Sequence, residues 1–223
     1  LWKACDAQVG DDFHINPEEI EAKYFGVLTK LFNVARFASQ FDTPDDPEQP
    51  PKDLAPEDRW ILAEFDHVMT RVEDAWSRID IYTAAQTIKG FGTGIFPSHW
   101  LEMSKSRLYD GNAAAAWTLH RVVRDLLSAL TPICPFFTHY LSTTLYGHSA
   151  VDARSFPRLP LGAVGEDADT LKELTPAVSD FNSSIWKLKK DSGLSLKSPI
   201  SNISIPPELS MLEDSLVRMH SIE

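Results

Sequence analysis

Cysteine is scarce in this chain. There are two in 223 residues, Cys5 and Cys134, far apart and in no C-x-x-C spacing. That excludes a disulfide framework and a cysteine-built zinc site, and it fits a reducing, cytoplasmic setting. No run of about 18 apolar residues occurs, so no membrane span is expected. The opening residues LWKACDAQVGDDF lack the basic and apolar regions of a signal peptide. They also lack an initiator Met and begin mid-pattern, which leads us to expect a fragment of a longer protein. Positive charge is short as well: 21 Lys and Arg stand against 32 Asp and Glu, a net −11. A nonspecific nucleic-acid binder gains affinity by neutralising phosphates, so this balance argues against one and against DNA as a partner. It leaves room for a single local basic face toward RNA. The seven histidines show no H-x-x-x-H spacing, and no nucleophile elbow is present. No metal site and no acyl-transfer centre is therefore expected.

What is present reads as helix. Hydrophobic residues make up 43% and charged residues 24%, an ordinary globular composition. NPEE (Asn16 to Glu19) is a helix start with Asn as cap and Pro at the first position, and it predicts a helix from Pro17 to about Gln40. FDTPDDPEQPPKDLAPED (Phe41 to Asp58) is acidic and proline-rich and reads as a solvated loop. Ile61, Phe65, Val68, Val72, Trp76 and Ile79 form one buried stripe of a second helix over 56–79. In the stretch 80–109, Gly90, Gly92, Gly94 and Pro97 should loosen or kink the chain, at about 1 kcal/mol per helical glycine and about 3 per proline. A third clear helix starts near Asn112 and is broken at Pro132 and Pro135 before FFTHYLSTTLYG closes the bundle. The stretch 151–166 reads as a linker. Beyond it, Leu171, Leu174, Val178, Phe181, Ile185 and Leu188 step by three and four as an amphipathic helix ended by Gly193. DFHI (Asp12 to Ile15) and ISNISI (Ile200 to Ile205) alternate like strands, and 207–219 reads as a last helix. The expected fold is mainly α: a helical bundle with a small C-terminal α+β appendage.

Two motifs invite a nucleotide-binding reading, and neither holds. GFGTGI (Gly90 to Ile95) begins like a dinucleotide loop, but Ile95 takes the final glycine's place and the preceding residues read as helix. LEMSKSRLYDG (Leu101 to Gly111) contains four letters of the KMSKS signature with which class I aminoacyl-tRNA synthetases hold ATP. Here Glu102, which would repel phosphate, occupies the place of the first lysine. The chain shows no alternating strand–helix pattern and no H-x-G-H stretch.

Other letters carry a resemblance that does hold. LTKLFNVARFA (Leu28 to Ala38) resembles the first helix of the anticodon-binding domain of valyl-tRNA synthetases, a KLWNAxRF type of pattern. LEMSKSRLYDGNAAAAWTLHRVVRDLLSALTPICPFFT resembles the same domain's ELSKPRLYDG…AAWTL…LLRLLAPFMPFIT segment, and DAQVGDDFHIN resembles the end of the region contacting the tRNA stem. The match covers roughly residues 4–148 in order. RLYDG…AAWTL favours the valyl over the isoleucyl and leucyl enzymes, and NSSIWKLKKDSGLSLKSPISNISI resembles the C-terminal appendage of archaeal-type enzymes.

The resemblance implies a class Ia synthetase region divided into the end of the stem-contact region (1–20), the anticodon-binding bundle (21–150), the linker (151–166) and the appendage (167–223). Catalytic and editing domains would precede residue 1. ATP and Mg would be cofactors of that catalytic part, with none in this chain, which would catalyse nothing by itself. Its expected partners are the anticodon stem-loop of tRNA(Val) and the catalytic domain of the same polypeptide, which would act as a monomer. Related synthetases use an Asn and an Arg of the first helix on the anticodon, which singles out Asn33 and Arg36. Lys30 could meet phosphate from the same helix, and Lys105 and Arg107 lie in a segment beside it. Lys187, Lys189 and Lys190 could add backbone contacts. An alternative of another class, a helical protein-interaction scaffold without tRNA binding, draws on the net −11 charge.

Overall fold

A computed structural model describes residues 2–8, 10, 12, 14, 16–149, 156–159, 164–165 and 167–223. The order is α1 (Trp2–Cys5), α2 (Pro17–Glu19), a π-helical turn (Ile20–Tyr24), α3 (Phe25–Ala38), α4 (Pro56–Ser77), α5 (Ile81–Gly90), a π segment (Phe91–Trp100) and α6 (Leu101–Tyr109). It continues with α7 (Ala113–Leu130), α8 (Pro135–Tyr146), α9 (Ala168–Lys172), α10 (Thr175–Asp191), a 3-10 turn (Pro207–Leu212) and α11 (Glu213–His220). Helix starts follow local chemistry. Asn16, Asp80 and Asn112 accept from the backbone N–H of Glu18, Thr83 and Ala115, satisfying donors that a helix leaves orphaned. Gly111 (φ +77°) turns α6 into α7 in a conformation that L side chains rarely adopt.

The glycine-rich stretch 90–97 does not break the helix. Its backbone widens into the π segment, so α5, the segment and α6 run on continuously with Pro97 inside. Burial outweighs the local cost: Phe91, Phe96 and Trp100 are all buried, stacked in succession with ring centroids 5.8 and 5.2 Å apart, and Phe65 of α4 meets Phe91 at 5.1 Å. Gly92 has its own reason. A Cβ there would lie 3.0 Å from Leu126 and 3.1 Å from Leu31, so glycine lets α3 and α7 close on the segment.

One arginine joins three helix ends. Arg107 donates to Glu57 (2.9 Å) and Asp58 (2.7 Å) in the first turn of α4 and to the cap residue Asn112 of α7 (2.9 Å). Asp58 also accepts from the Ala55 backbone and from Trp100 Nε1. Glu57 and Asp58 are 2% and 0% exposed, so no solvent could replace the guanidinium. Burial pushes the Asp58 carboxyl up, and Arg107 opposes that. At the other end of the bundle, Asp6 accepts from Tyr24 and Gln86 and pairs with Lys23, tying the N-terminal residues to α5.

The acidic loop is pinned as well as solvated. Trp117 Nε1 donates to the Asp46 carbonyl, and Arg121 and Arg124 of α7 hold Glu48. The expected linker lies largely outside the described residues. Its described part is fixed by Arg121 on the Arg158 carbonyl and by Arg59 on the Val164 carbonyl.

Expected elements differ at several places, most of them in the C-terminal region. The single helix expected over 171–188 is two, α9 and α10, with Leu188 exposed. ISNISI forms no sheet: Ile200 makes one parallel bridge with Ile222. Of DFHI, Phe13 and Ile15 lie outside the described residues, and Asp12 and His14 have no regular structure. α9 packs on α4, α10 on the π segment and α11 on α6. A buried polar chain joins them. Asn182 of α10 bonds His99 Nδ1 of the π segment (2.8 Å) and His220 Nε2 of α11 (2.7 Å). Lys189, expected on the surface, is 0% exposed, and its ammonium donates to the carbonyls of Leu196, Ser198 and His220 at 2.9, 2.8 and 2.6 Å. Burial lowers its pKa.

Arg107→Ala strands two buried carboxylates and should destabilise the chain by about 3–5 kcal/mol in urea denaturation. Arg107→Lys should recover only part, because an ammonium cannot serve three acceptors in a plane; a loss below about 1 kcal/mol for the alanine variant would contradict the clamp. Burial also depresses the pKa of His99, His120 and His220, the last to about 4, where the nearby Lys189 charge adds to the effect. The unfolded chain then takes up protons first on acidification. Stability present above about pH 6.5 should be lost as pH falls toward 4, by roughly 2 kcal/mol for His220 alone between pH 7 and 5. Urea midpoints at the two pH values measure it; equal midpoints would contradict it.

Candidate functional site

Two large concavities lie on the described surface, and their charge separates them. The larger, about 1190 Å³, sits between the acidic loop and the α6–α7 turn. Asp42, Asp45 and Asp46 line it against one cation, Lys52. The other, about 710 Å³, has the opposite balance: Lys30, Lys105 and Lys197 against Glu102. On a chain of net −11, the second is the concavity suited to a polyanion.

Three elements build this cationic groove. α3 contributes Lys30, Asn33, Val34 and Phe37, which recur at three- and four-residue spacing and so share one face. The π segment and α6 contribute Thr93, Pro97 and Ser98, then Leu101, Glu102 and Lys105. The wider i→i+5 turn lets residues four and five apart fall on one side there. A third side comes from the C-terminal region: Trp186 of α10, Leu196 and Lys197 of the following turn, and Met219 of α11.

Of the residues singled out in the sequence, Lys30, Asn33 and Lys105 are brought together here. Lys30 and Asn33 are exposed, and no described residue bonds their side chains. The Lys105 ammonium pairs with Glu102 three residues before it, both about 42% exposed. Such a pair is worth only about 0.2–0.5 kcal/mol, so an incoming phosphate can displace it. Arg36 is exposed and one turn beyond Asn33, but it does not line the groove. Arg107 is 12% exposed at its side chain and fully engaged by Glu57, Asp58 and Asn112, so it stands behind the groove rather than in it. Lys187 and Lys190 are exposed on α10, away from the groove lining.

Sequence reasoning missed the third side. Trp186 lies next to, not on, the apolar stripe of its helix, and a tryptophan off the stripe is a signal that was available. Its indole is held by His99, stacked at 5.6 Å and 18°, and by the edge of His220 at 6.1 Å. Nothing in SLKSP marks Lys197. Among the described residues no cluster of three potential metal ligands occurs, and no helix is long and apolar enough to cross a membrane. The groove therefore offers cations, an amide able to donate and accept, and an aromatic floor. Those are the means by which unpaired bases and their phosphates are held.

Comparison with known proteins places the chain in a family. The chain is 32% identical to a valine–tRNA ligase of Pyrobaculum aerophilum, over 100% of this chain and 28% of that protein. It is 32% identical to the valine–tRNA ligase of Aeropyrum pernix over 92% of this chain and 25% of that protein, and 31% identical to that of Saccharolobus solfataricus over 88% and 23%. The chain thus spans about a quarter of the length of these relatives. A family described as the anticodon-binding domain of tRNA ligase matches residues 58–204, more than half of the chain. The chain belongs to that family of anticodon-binding domains of tRNA ligases.

Proposed function

We propose that this chain recognises the anticodon stem-loop of tRNA(Val) for a polypeptide that joins valine to that tRNA with ATP. The carrying observation is the groove in which Lys30, Asn33 and Lys105 converge on a chain of net charge −11. Asn33 reads the edge of an unpaired base, and Lys30 and Lys105 meet the phosphates on either side. Arg36, exposed one turn further on, offers a planar guanidinium for stacking or bidentate bonding. Arg107 acts indirectly by holding α6, and with it Lys105, against α4 and α7. The valyl assignment is supported by the names of the relatives above. ATP and Mg belong, on this reading, to the catalytic part of the same cytoplasmic, monomeric polypeptide. This chain contributes grip and orientation, placing the distant acceptor end of the tRNA by holding its opposite arm.

A hairpin RNA with a valine anticodon in its loop should bind the chain with strong salt dependence, and a hairpin with an unrelated anticodon should bind more weakly. Arg36→Ala should weaken the first by about 1–3 kcal/mol in filter-binding titrations. Equal affinity for both hairpins would favour a scaffold that has no use for the anticodon. An unaffected Arg36→Ala would remove Arg36 from the contact set.

A further inference from the structure

The appendage does more than pack against the bundle. We propose that it forms the second jaw of the RNA site: Trp186 offers a stacking face and Lys197 a phosphate contact to the nucleotide held against Asn33. This rests on the reading of the groove as an RNA site and adds a partner surface to it.

Three independent features converge. First, Trp186 is one of two tryptophans in the chain that are not buried; Trp2, Trp60, Trp100 and Trp117 all are. The other, Trp76, lies outside both concavities. Trp186 is also pre-set. His99 stacks on it, and Asn182 fixes His99 in turn, so little side-chain freedom is lost when a base docks.

Second, the turn bearing Lys197 is anchored on both sides. The buried Lys189 ammonium donates to the carbonyl just before Lys197 and to the carbonyl just after it. An ammonium without a carboxylate partner is an expensive group to bury. What it does here is fix a surface turn whose two middle side chains, Leu196 and Lys197, close the groove. Lys189 is therefore a positioning residue for Lys197.

Third, size and charge define the occupant. A volume of about 710 Å³ suits a small-molecule-sized group such as one or two nucleotides, and not a duplex or a docked helix. Lysines from three separate elements stand against one acid, Glu102, so the groove keeps an excess of positive charge even with Glu102 counted against Lys105. An unpaired nucleotide of an RNA loop fits that description better than an apolar peptide would.

The test titrates the valine-anticodon hairpin against the whole chain and its variants at several salt concentrations. Lys197→Ala should weaken binding and flatten the slope of log K against log salt by about 0.7, the value for one phosphate of a single strand. Lys189→Met should reproduce that flattening without removing a surface charge. Trp186→Ala should weaken binding roughly five- to hundredfold, and Trp186→Phe should retain most of the affinity because a ring remains. Should Trp186→Ala fail to fold, the Lys197→Ala slope and the Trp186→Phe affinity decide alone. If the hairpin binds and Arg36→Ala weakens it while Lys197→Ala leaves affinity and slope unchanged, the appendage is only packing and the inference is overturned with the anticodon reading intact. If the wild-type chain does not distinguish the hairpins, both fall together.

Discussion

Glu57 and Asp58 open α4 in the interior of the bundle, where ionised carboxylates are unstable without a cation, and the guanidinium of Arg107 supplies it. The same group reaches the cap of α7, so one side chain sets the relation of three helix ends. That constraint matters to the surface because α6 carries Arg107 on its inner side and Glu102 and Lys105 on its outer side. Fixing the first fixes the others. One wall of the groove is thus set by an internal ion pair.

The π segment extends this logic. Its extra backbone per turn carries Phe91, Phe96 and Trp100 into the core while leaving Thr93, Pro97 and Ser98 along the groove. It also brings His99 to Asn182, and through it to His220 and the appendage. Core, groove and appendage therefore meet on ten residues that, by helix propensity alone, ought to disrupt the helix. This is a case where buried aromatic area overrules local preference.

Much of the fold was legible. Caps at Asn16 and Asn112, the stripe of α4 from Ile61 to Val72 and the stop at Gly193 are local signals, and local signals can be read from one sequence. Ile79, expected to continue that stripe, lies past the helix end and is 73% exposed. The loosening over 90–97 was legible from its glycines and Pro97 and shows as the π segment, but that the chain stays helical there was not, because that stabilisation comes from residues far away in the chain. The same holds for two cations. Arg107 looked like a surface contact, yet its carboxylate partners are some fifty positions earlier. Lys189 sits in a run of three lysines that reads as a solvated face, and only the fold turns it inward onto three carbonyls. For the site, the residues of α3 were found through their pattern, whereas Trp186 and Lys197 depend on the docking of a separate segment. ISNISI kept its alternation without a partner strand to make a sheet.

The central claim is that RNA occupies the cationic groove and not the larger acidic concavity. Lysine acetylation footprinting of the chain, with and without the valine-anticodon hairpin, tests this directly, since both concavities contain lysines. The account predicts protection of Lys30, Lys105 and Lys197 on binding, with Lys52 modified equally in both samples. Protection of Lys52 with the three groove lysines unchanged would contradict it.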